Sequence, residues 1–380
     1  MRVYLKQLVL ALVLVGVVIA PAVAQIDIGQ EDVVSENTAP LENNSEEVEI
    51  PLIEDKKGGI FSFMNFSFGK KKDVASDTKT SSDGKIETYI ERLVREAKEG
   101  KVDSQVTLGY MYLYGEGGVK PSKRSAFKYY SMAAAQGDVV ALNNLGSLYF
   151  SGIGIGRDPE KAVFLFNKAA SLGNSESALN LAFIYLTGNG ASKNYDEAMR
   201  LFAQASEAGN PTAKFMLGYA YYRGFVVKQN YIRAFELIRE AANAQFDDAQ
   251  YVLAVMYING SGVTKNYGNA VKHLTSAALQ GNVDAMMKLA AILADGKIYN
   301  RNIYNAHIWF NIASVYGATD AAKNRDILEE ALKINEILNA QAEAEKYVEK
   351  QSELTSYIRQ TFGNRIRAYI DEAMIRSNRL

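Results

Sequence analysis

A pattern close to Ala-Ala-x-x-Gly returns at one fixed interval along this chain. Its last position falls at Gly137, Gly173, Gly209, Gln245, Gly281 and Gly317, each 36 residues after the one before. Two further series keep the same spacing: alanines at Ala126, Ala162, Ala198, Ala234, Ala270 and Ala306, and leucine-small pairs at Leu108-Gly109, Leu145-Gly146, Leu181-Ala182, Leu217-Gly218, Leu253-Ala254 and Leu289-Ala290. One interval slips by a residue, where Gly115-Glu116-Gly117-Gly118 carries an extra glycine. A period of this length holds one supersecondary unit, which buries its apolar face only by stacking on its neighbours.

The punctuation within each unit predicts two antiparallel helices. Asp138, Asn174, Asn210 and Asn282 precede the first helices, and Ser122, Asp158, Asn194, Asn230, Asn266 and Asn302 precede the second. All are residue types whose side chains accept an orphan helical N–H. Pro159 and Pro211 sit just inside two of the starts, where a missing N–H costs nothing. Gly115, Gly152, Gly188, Gly224, Gly260 and Gly296 end the first helices. Leu145 and Tyr149, Leu181 and Tyr185, Leu217 and Tyr221, and Leu253 and Tyr257 are each four apart and share a helix face. These residues read as core, and the small residue after each leucine lets the paired helix approach closely.

These residues resemble the Sel1-like repeat (SLR) family, a relative of the tetratricopeptide repeat. Ala141-Leu142-Asn143-Asn144-Leu145-Gly146-Ser147-Leu148-Tyr149, with Gly152-Ile153-Gly154-Ile155, carries the likeness closely. It extends over about residues 101 to 317, in units 101–136, 137–172, 173–208, 209–244, 245–280 and 281–317, after a half repeat ending at Leu93 to Gly100. The resemblance implies an all-α fold, a right-handed solenoid of helix-turn-helix repeats. It also implies a scaffold or adaptor that holds a protein or peptide. Ala322 to Leu328 and Ala340-Gln341 resemble the helical end that follows such repeats in Gram-negative bacterial proteins, so residues 318–380 are expected to form a helical cap. Its helices are expected over about 320–333 and 335–351, with helical spacing continuing through Tyr357, Ile358, Phe362, Ile366, Tyr369, Ile370 and Met374.

The concave face of such an array is lined by first helices. This predicts a partner site at Asn144, Ser147, Phe150, Asn180 and Phe183, continuing through Met216, Tyr219, Tyr222, Val252, Val255 and Ile258. Asparagines beside aromatic rings suit a peptide, with amides for its backbone and rings for its side chains. The fourth unit departs from the pattern. It has Gly224-Phe225-Val226-Val227 where a second glycine recurs, and Gln245-Phe246-Asp247 where glycine and a capping residue recur. Phe225 and Phe246 are expected to mark a contact patch there.

The first 24 residues have a basic start (Arg2, Lys6), an apolar run from Leu8 to Ala20, and Pro21 before Ala22-Val23-Ala24. This predicts a secretory signal cleaved after Ala24, hence a periplasmic or secreted protein. Residues 25–85 lack periodicity, begin acidic and end rich in Ser, Asp, Lys and Thr, as a disordered linker does. Within it, a segment at 56–72 places Phe61, Phe63, Phe66 and Phe68 between lysines, a pattern for peripheral contact with an anionic membrane or for strand addition to a partner.

A formal charge of -1 gives no reason to expect nucleic acid. The absence of cysteine removes disulfides, thiolate metal sites and thiol nucleophiles. A cysteine-rich branch of the family is associated with β-lactam binding, so an envelope enzyme acting on β-lactams or cell-wall material is the alternative to an adaptor. His273 and His307 lie among apolar residues without a metal-binding pattern, and the serine-elbow and phosphate-loop motifs are missing. Gly152-x-Gly154-x-Gly156 joins two helices and so reads as the repeat turn, not as a nucleotide loop. No catalytic residue, cofactor or metal is expected.

Overall fold

The computed structural model describes residues 79–80, 86–347, 349–362 and 366–377. The segment expected to be a signal, nearly all of the expected linker, and Phe61, Phe63, Phe66 and Phe68 lie outside the described residues. A two-residue pair, β1 (Lys79–Thr80) with β2 (Ile86–Glu87), precedes an all-helical body. Helix α1 (Tyr89–Lys98) opens it with a reciprocal capping box between Thr88 and Glu91.

Six helical pairs follow. The first helices are α2 (Val102–Tyr114), α4 (Val139–Ser151), α6 (Ser175–Thr187), α8 (Pro211–Arg223), α10 (Asp247–Asn259) and α12 (Val283–Asp295). The second helices are α3 (Lys123–Ala135), α5 (Pro159–Ser171), α7 (Tyr195–Glu207), α9 (Tyr231–Asn243), α11 (Tyr267–Leu279) and α13 (Ile303–Val315). Each helix packs on the one before and the one after, which makes the array an α-solenoid. The caps explain the register. Every second helix has its capping side chain bonded to the amide three residues on, from Ser122 to Asn302. Asp138, Asn174, Asn210 and Asn282 do the same for four first helices. Lys101 and Phe246 stand at the two remaining starts without a side-chain cap.

The repeated alanines at 126, 162, 198, 234, 270 and 306 are fully or almost fully buried, so any larger side chain there would overfill the pair. Opposite them, Gly146 has room for no Cβ, since one would stand 2.9 Å from the ring of Phe166. Between the helices of a pair, the Tyr149, Tyr185, Tyr221 and Tyr257 carbonyls accept the amides of Asp158, Asn194, Asn230 and Asn266. The turn is thereby closed through the backbone, and Arg157 and Gln229 reinforce two of these turns by donating to the Phe150 and Tyr222 carbonyls.

Helices α14 (Ala321–Glu329) and α15 (Ile334–Glu345) both pack on α13 and form the helical cap. His307 Nε2 bonds Glu329 at 3.0 Å, Arg325 donates to Asn311 at 3.0 Å, and Trp309 meets Tyr347 edge-on at 6.1 Å. The chain then turns back. The Tyr347 hydroxyl donates to the Ala278 carbonyl at 2.8 Å and the Lys350 amide to Leu279 at 2.9 Å. Helices α16 (Glu353–Phe362) and α17 (Ala368–Ser377) leave the end of the array and lie on the first helices of its later repeats. Leu354, Ile358, Ile366, Ile370 and Ala373 join the apolar cluster of Phe183, Phe215, Met216 and Val252.

Candidate functional site

The site is the face of first helices α6, α8, α10 and α12 where α16 and α17 sit. It is built around the one repeat boundary that breaks the pattern. Gln245 holds a left-handed φ of 62° where the equivalent positions are glycine, and Phe246 replaces the capping Asn or Asp. Its ring points inward, edge-on to Phe215 at 5.0 Å. Such burial is worth about 1.5–3 kcal/mol and displaces the polar cap. The C-terminal segment supplies what is missing. Thr355 Oγ1 accepts the Asp247 amide at 3.1 Å and donates to Gln280 Oε1 at 2.7 Å, while Ser352 Oγ donates to the Gln245 carbonyl at 2.7 Å.

Carboxylates at the N-terminal turns of the first helices hold two arginines. Arg359 bonds Asp247 at 2.6 Å and Glu349 at 2.6 Å. Arg367 bridges Asp248 and Asp284, and its guanidinium lies 4.7 Å above the centre of the Tyr251 ring. Asp247 and Asp248 are each only 1% exposed, so their charge depends on these partners, on Asn282, which donates to both, and on the helix N-terminus. Burial lowers the pKa of the Arg367 guanidinium, and neighbouring Tyr219, Asp371 and Asp247 oppose that. Asp248 Oδ2 and Arg359 Nε have no hydrogen-bond partner among the described residues.

Four more contacts tie the segment to α8 and α6. Asp371 accepts from the Tyr219 hydroxyl at 3.1 Å and pairs with Arg223. Burial, with Asp371 beside it, pushes Tyr219 up to about 12. Tyr369 meets Phe183 at 5.5 Å, and the Tyr357 hydroxyl donates to Glu176 at 3.0 Å. Burial raises the pKa of the Glu176 carboxyl above the usual carboxylate value, against the pull of its hydrogen bonds from Tyr357 and Asn210.

The residues expected to form a partner site divide into three groups. Phe183, Met216, Tyr219 and Val252 are buried, and Phe183 and Tyr219 touch the chain's own C-terminal segment. Tyr222, Val255 and Ile258 are half-buried. Asn144, Ser147, Phe150 and Asn180 lie on α4 and α6, toward the start of the array. There Asn143 Oδ1 accepts Ser177 Oγ at 2.8 Å and Asn180 Nδ2 at 3.1 Å, and Ser147 Oγ donates to the Asn143 carbonyl at 3.1 Å. Asn144 Nδ2 is buried without a hydrogen-bond partner among the described residues. Arg157 lies 5.6 Å over the Phe150 ring.

The expectation of a surface patch at Phe225 and Phe246 is corrected: Phe225 is 4% exposed against Tyr195 and Phe246 1% exposed, both rings packed inward. Thr355, Arg359, Arg367 and Asp371 were not anticipated from the sequence. The break at Gln245-Phe246 followed by the acidic pair Asp247-Asp248 was the available signal.

Both histidines serve packing. His307 is buried against Glu329, and His273 stacks on Tyr257 at 6.0 Å, with burial lowering its pKa. The arrangement offers backbone acceptors, paired carboxylates and an apolar floor, which is the chemistry of holding a polypeptide.

Helical pairs stacked at a fixed period, with a polypeptide seated on their first helices, define a protein of the helical-hairpin repeat class. The sequence profile of the Sel1 repeat matches residues 102–138, 139–174, 175–210, 211–246, 247–282 and 283–314, more than half of the chain, and the chain belongs to the Sel1 repeat family. A Sel1 repeat protein from Oxalobacter formigenes is similar at 29% identity and a TM-score of 0.53, over 60% of this chain and 98% of that one. The antigen c5321 of uropathogenic Escherichia coli, described as displaying an SLR fold, shares 24% identity over 72% of this chain and 74% of its own, with a TM-score of 0.41. The immunity protein Pa5087 of Pseudomonas aeruginosa shares 21% identity over 58% of this chain and 82% of its own, with a TM-score of 0.36. Comparison with curated proteins gave no match. Sel1 repeat proteins generally mediate protein–protein interaction.

Proposed function

We propose that the chain is an exported adaptor that binds a protein or peptide partner on its first-helix face and serves an envelope complex, signalling or host contact. The observation that carries this reading is the seated segment 349–377. The face holds a polypeptide by apolar side chains, arginine–carboxylate pairs and hydrogen bonds to main-chain groups, and a partner would be held by the same means. Toward the start of the array, Asn143, Asn144 and Asn180 extend the surface with side-chain amides suited to a peptide backbone. Export rests on the basic, apolar and Ala-Val-Ala pattern of the first 24 residues. Among the described residues, no helix is long and apolar enough to cross a membrane.

Crosslinking in intact cells, followed by pull-down and mass spectrometry, tests the reading. The full mature chain is compared with one lacking residues 25–85 and with Asn144→Lys/Asn180→Lys. A specific protein recovered by the first two and lost from the third supports a partner held on the first helices. Recovery of no reproducible protein, or recovery only with residues 25–85 present, refutes it.

A further inference from the structure

Helices α14 and α15 already close the last repeat, so α16 and α17 are not needed to seal the array. They instead occupy the face on which a partner is proposed to bind, and the repeats are specialised to receive them. Four departures fall at one boundary: a left-handed Gln245, an uncapped Phe246, and the buried acids Asp247 and Asp248. Each is answered by the segment. Ser352 takes the Gln245 carbonyl, Thr355 takes the Asp247 amide, Arg359 takes Asp247, and Arg367 takes Asp248. Hydroxyl, first arginine and second arginine stand at 355, 359 and 367, the arginines four and twelve residues after the hydroxyl. Apolar Leu354, Ile358, Ile366 and Ile370 accompany them into the array.

This contact mixes ion pairs and hydrogen bonds with apolar burial, as exchangeable interfaces do, and differs from the alanine- and leucine-filled seams between repeats. Buried carboxylates select by charge, because an incoming segment without cations would leave Asp247 and Asp248 desolvated and unpaired. We infer that α16–α17 is an intramolecular stand-in for a partner's segment. The face selects a segment that carries a hydroxyl residue and, four residues on, an arginine on one helix, with a second arginine twelve residues on, just ahead of a second helix; the chain's own copy occupies it until such a segment displaces it. The inference rests on the adaptor reading and adds the partner's chemistry.

The test uses a fluorescent peptide of residues 349–377 and the same peptide with Arg359→Glu and Arg367→Glu. Both are titrated into the full mature chain and into a full chain carrying Arg359→Ser and Arg367→Ser, whose own segment is loosened while the face is intact. The expected result is binding to the loosened chain at least ten times tighter than to the parent, with no binding of the charge-reversed peptide. Equal binding to both chains, no binding to a loosened chain that still melts cooperatively, or equal binding of the reversed peptide would overturn the inference. So would a dimer by light scattering, which would mark exchange of the segment between two copies.

Hydrogen exchange on the unmodified chain decides the matter even if the variant fails to fold. Amides of α16 and α17 are expected to exchange at least tenfold faster than those of α8 and α10, by local opening. Equal protection would make the segment a fixed part of the fold. Partner capture by a chain with such a fixed segment would overturn this inference and leave the adaptor reading standing.

Discussion

Thr355 Oγ1 accepts the backbone amide of Asp247 across 108 residues of sequence at 3.1 Å, and so serves the first turn of the one middle-repeat first helix that has no cap of its own. The same hydroxyl donates to Gln280. Thr355→Val keeps the shape and removes both bonds inside a buried contact, which should lower the free energy of opening α16–α17 by about 2 kcal/mol. Thr355→Ser should cost less than half of that. Hydrogen exchange of the α16 and α17 amides reads the difference.

Arg367 pairs with two carboxylates, one of them buried, so removing it alone leaves unpaired charge. Arg367→Leu is expected to lower the opening free energy of the segment by about 3 kcal/mol. Asp248→Asn should cost markedly less in the Arg367→Leu chain than in the parent, because the carboxylate then has no cation to lose. A double-mutant cycle read by hydrogen exchange gives the coupling, and additive effects would show that the pair contributes nothing specific.

The array was legible because its determinants are local. Caps such as Asn194 and Asn230 act three residues away, and the Leu-Gly and alanine series repeat in register with them. The cap helices were legible too, with ends nearer 329 and 345 than expected. What could not be read was where the chain goes after Tyr347. Arg359 and Arg367 find carboxylates more than 100 residues earlier, and helical spacing says which face of α16 or α17 is apolar but not what covers it. The break at Gln245-Phe246 was visible as a departure. Only the fold ties it to Ser352 and Thr355, and only the fold turns both nearby phenylalanine rings inward.

Gly218 shows how tightly a pair is drawn together. A Cβ there would lie 3.0 Å from Leu237 Cβ and 3.2 Å from the Ile238 backbone nitrogen, so the opposing helix itself must move. Gly218→Val should destabilise the array by about 1–3 kcal/mol and lower its urea midpoint without loss of helix content at low denaturant. Gly156, where a Cβ meets open space, should accept alanine with little effect.

Glu176 gives the face a pH dependence. Its folded-state pKa is raised by burial above the ordinary 4.5, so the folded protein holds this proton more tightly than the unfolded chain. Its contribution is therefore most favourable below 4.5 and is lost as pH rises through the folded value. Glu176→Gln can keep the bonds to Asn210 and Tyr357 with a neutral group. Its melting temperature should exceed that of the parent at pH 7, and the difference should vanish near pH 4. A difference of constant size across that range would mean that ionisation of Glu176 is not its source.

Gln245 and Gly209 occupy equivalent positions and both have positive φ, 62° and 89°. A side chain in this conformation costs about 1–2 kcal/mol, so Gly209→Gln should destabilise by that amount. The reverse change at Gln245 is not its mirror image. Gln245→Gly relieves the strain, but it forfeits the bond from Gln250 Nε2 at 3.2 Å and frees the unfolded chain. Those losses offset most of the relief, and the net change should stay within about 0.5 kcal/mol. Denaturant unfolding of both variants checks this. A gain of the full strain energy in Gln245→Gly would show that the side chain contributes nothing at this boundary, and that the C-terminal segment is seated there through the backbone carbonyl that Ser352 bonds.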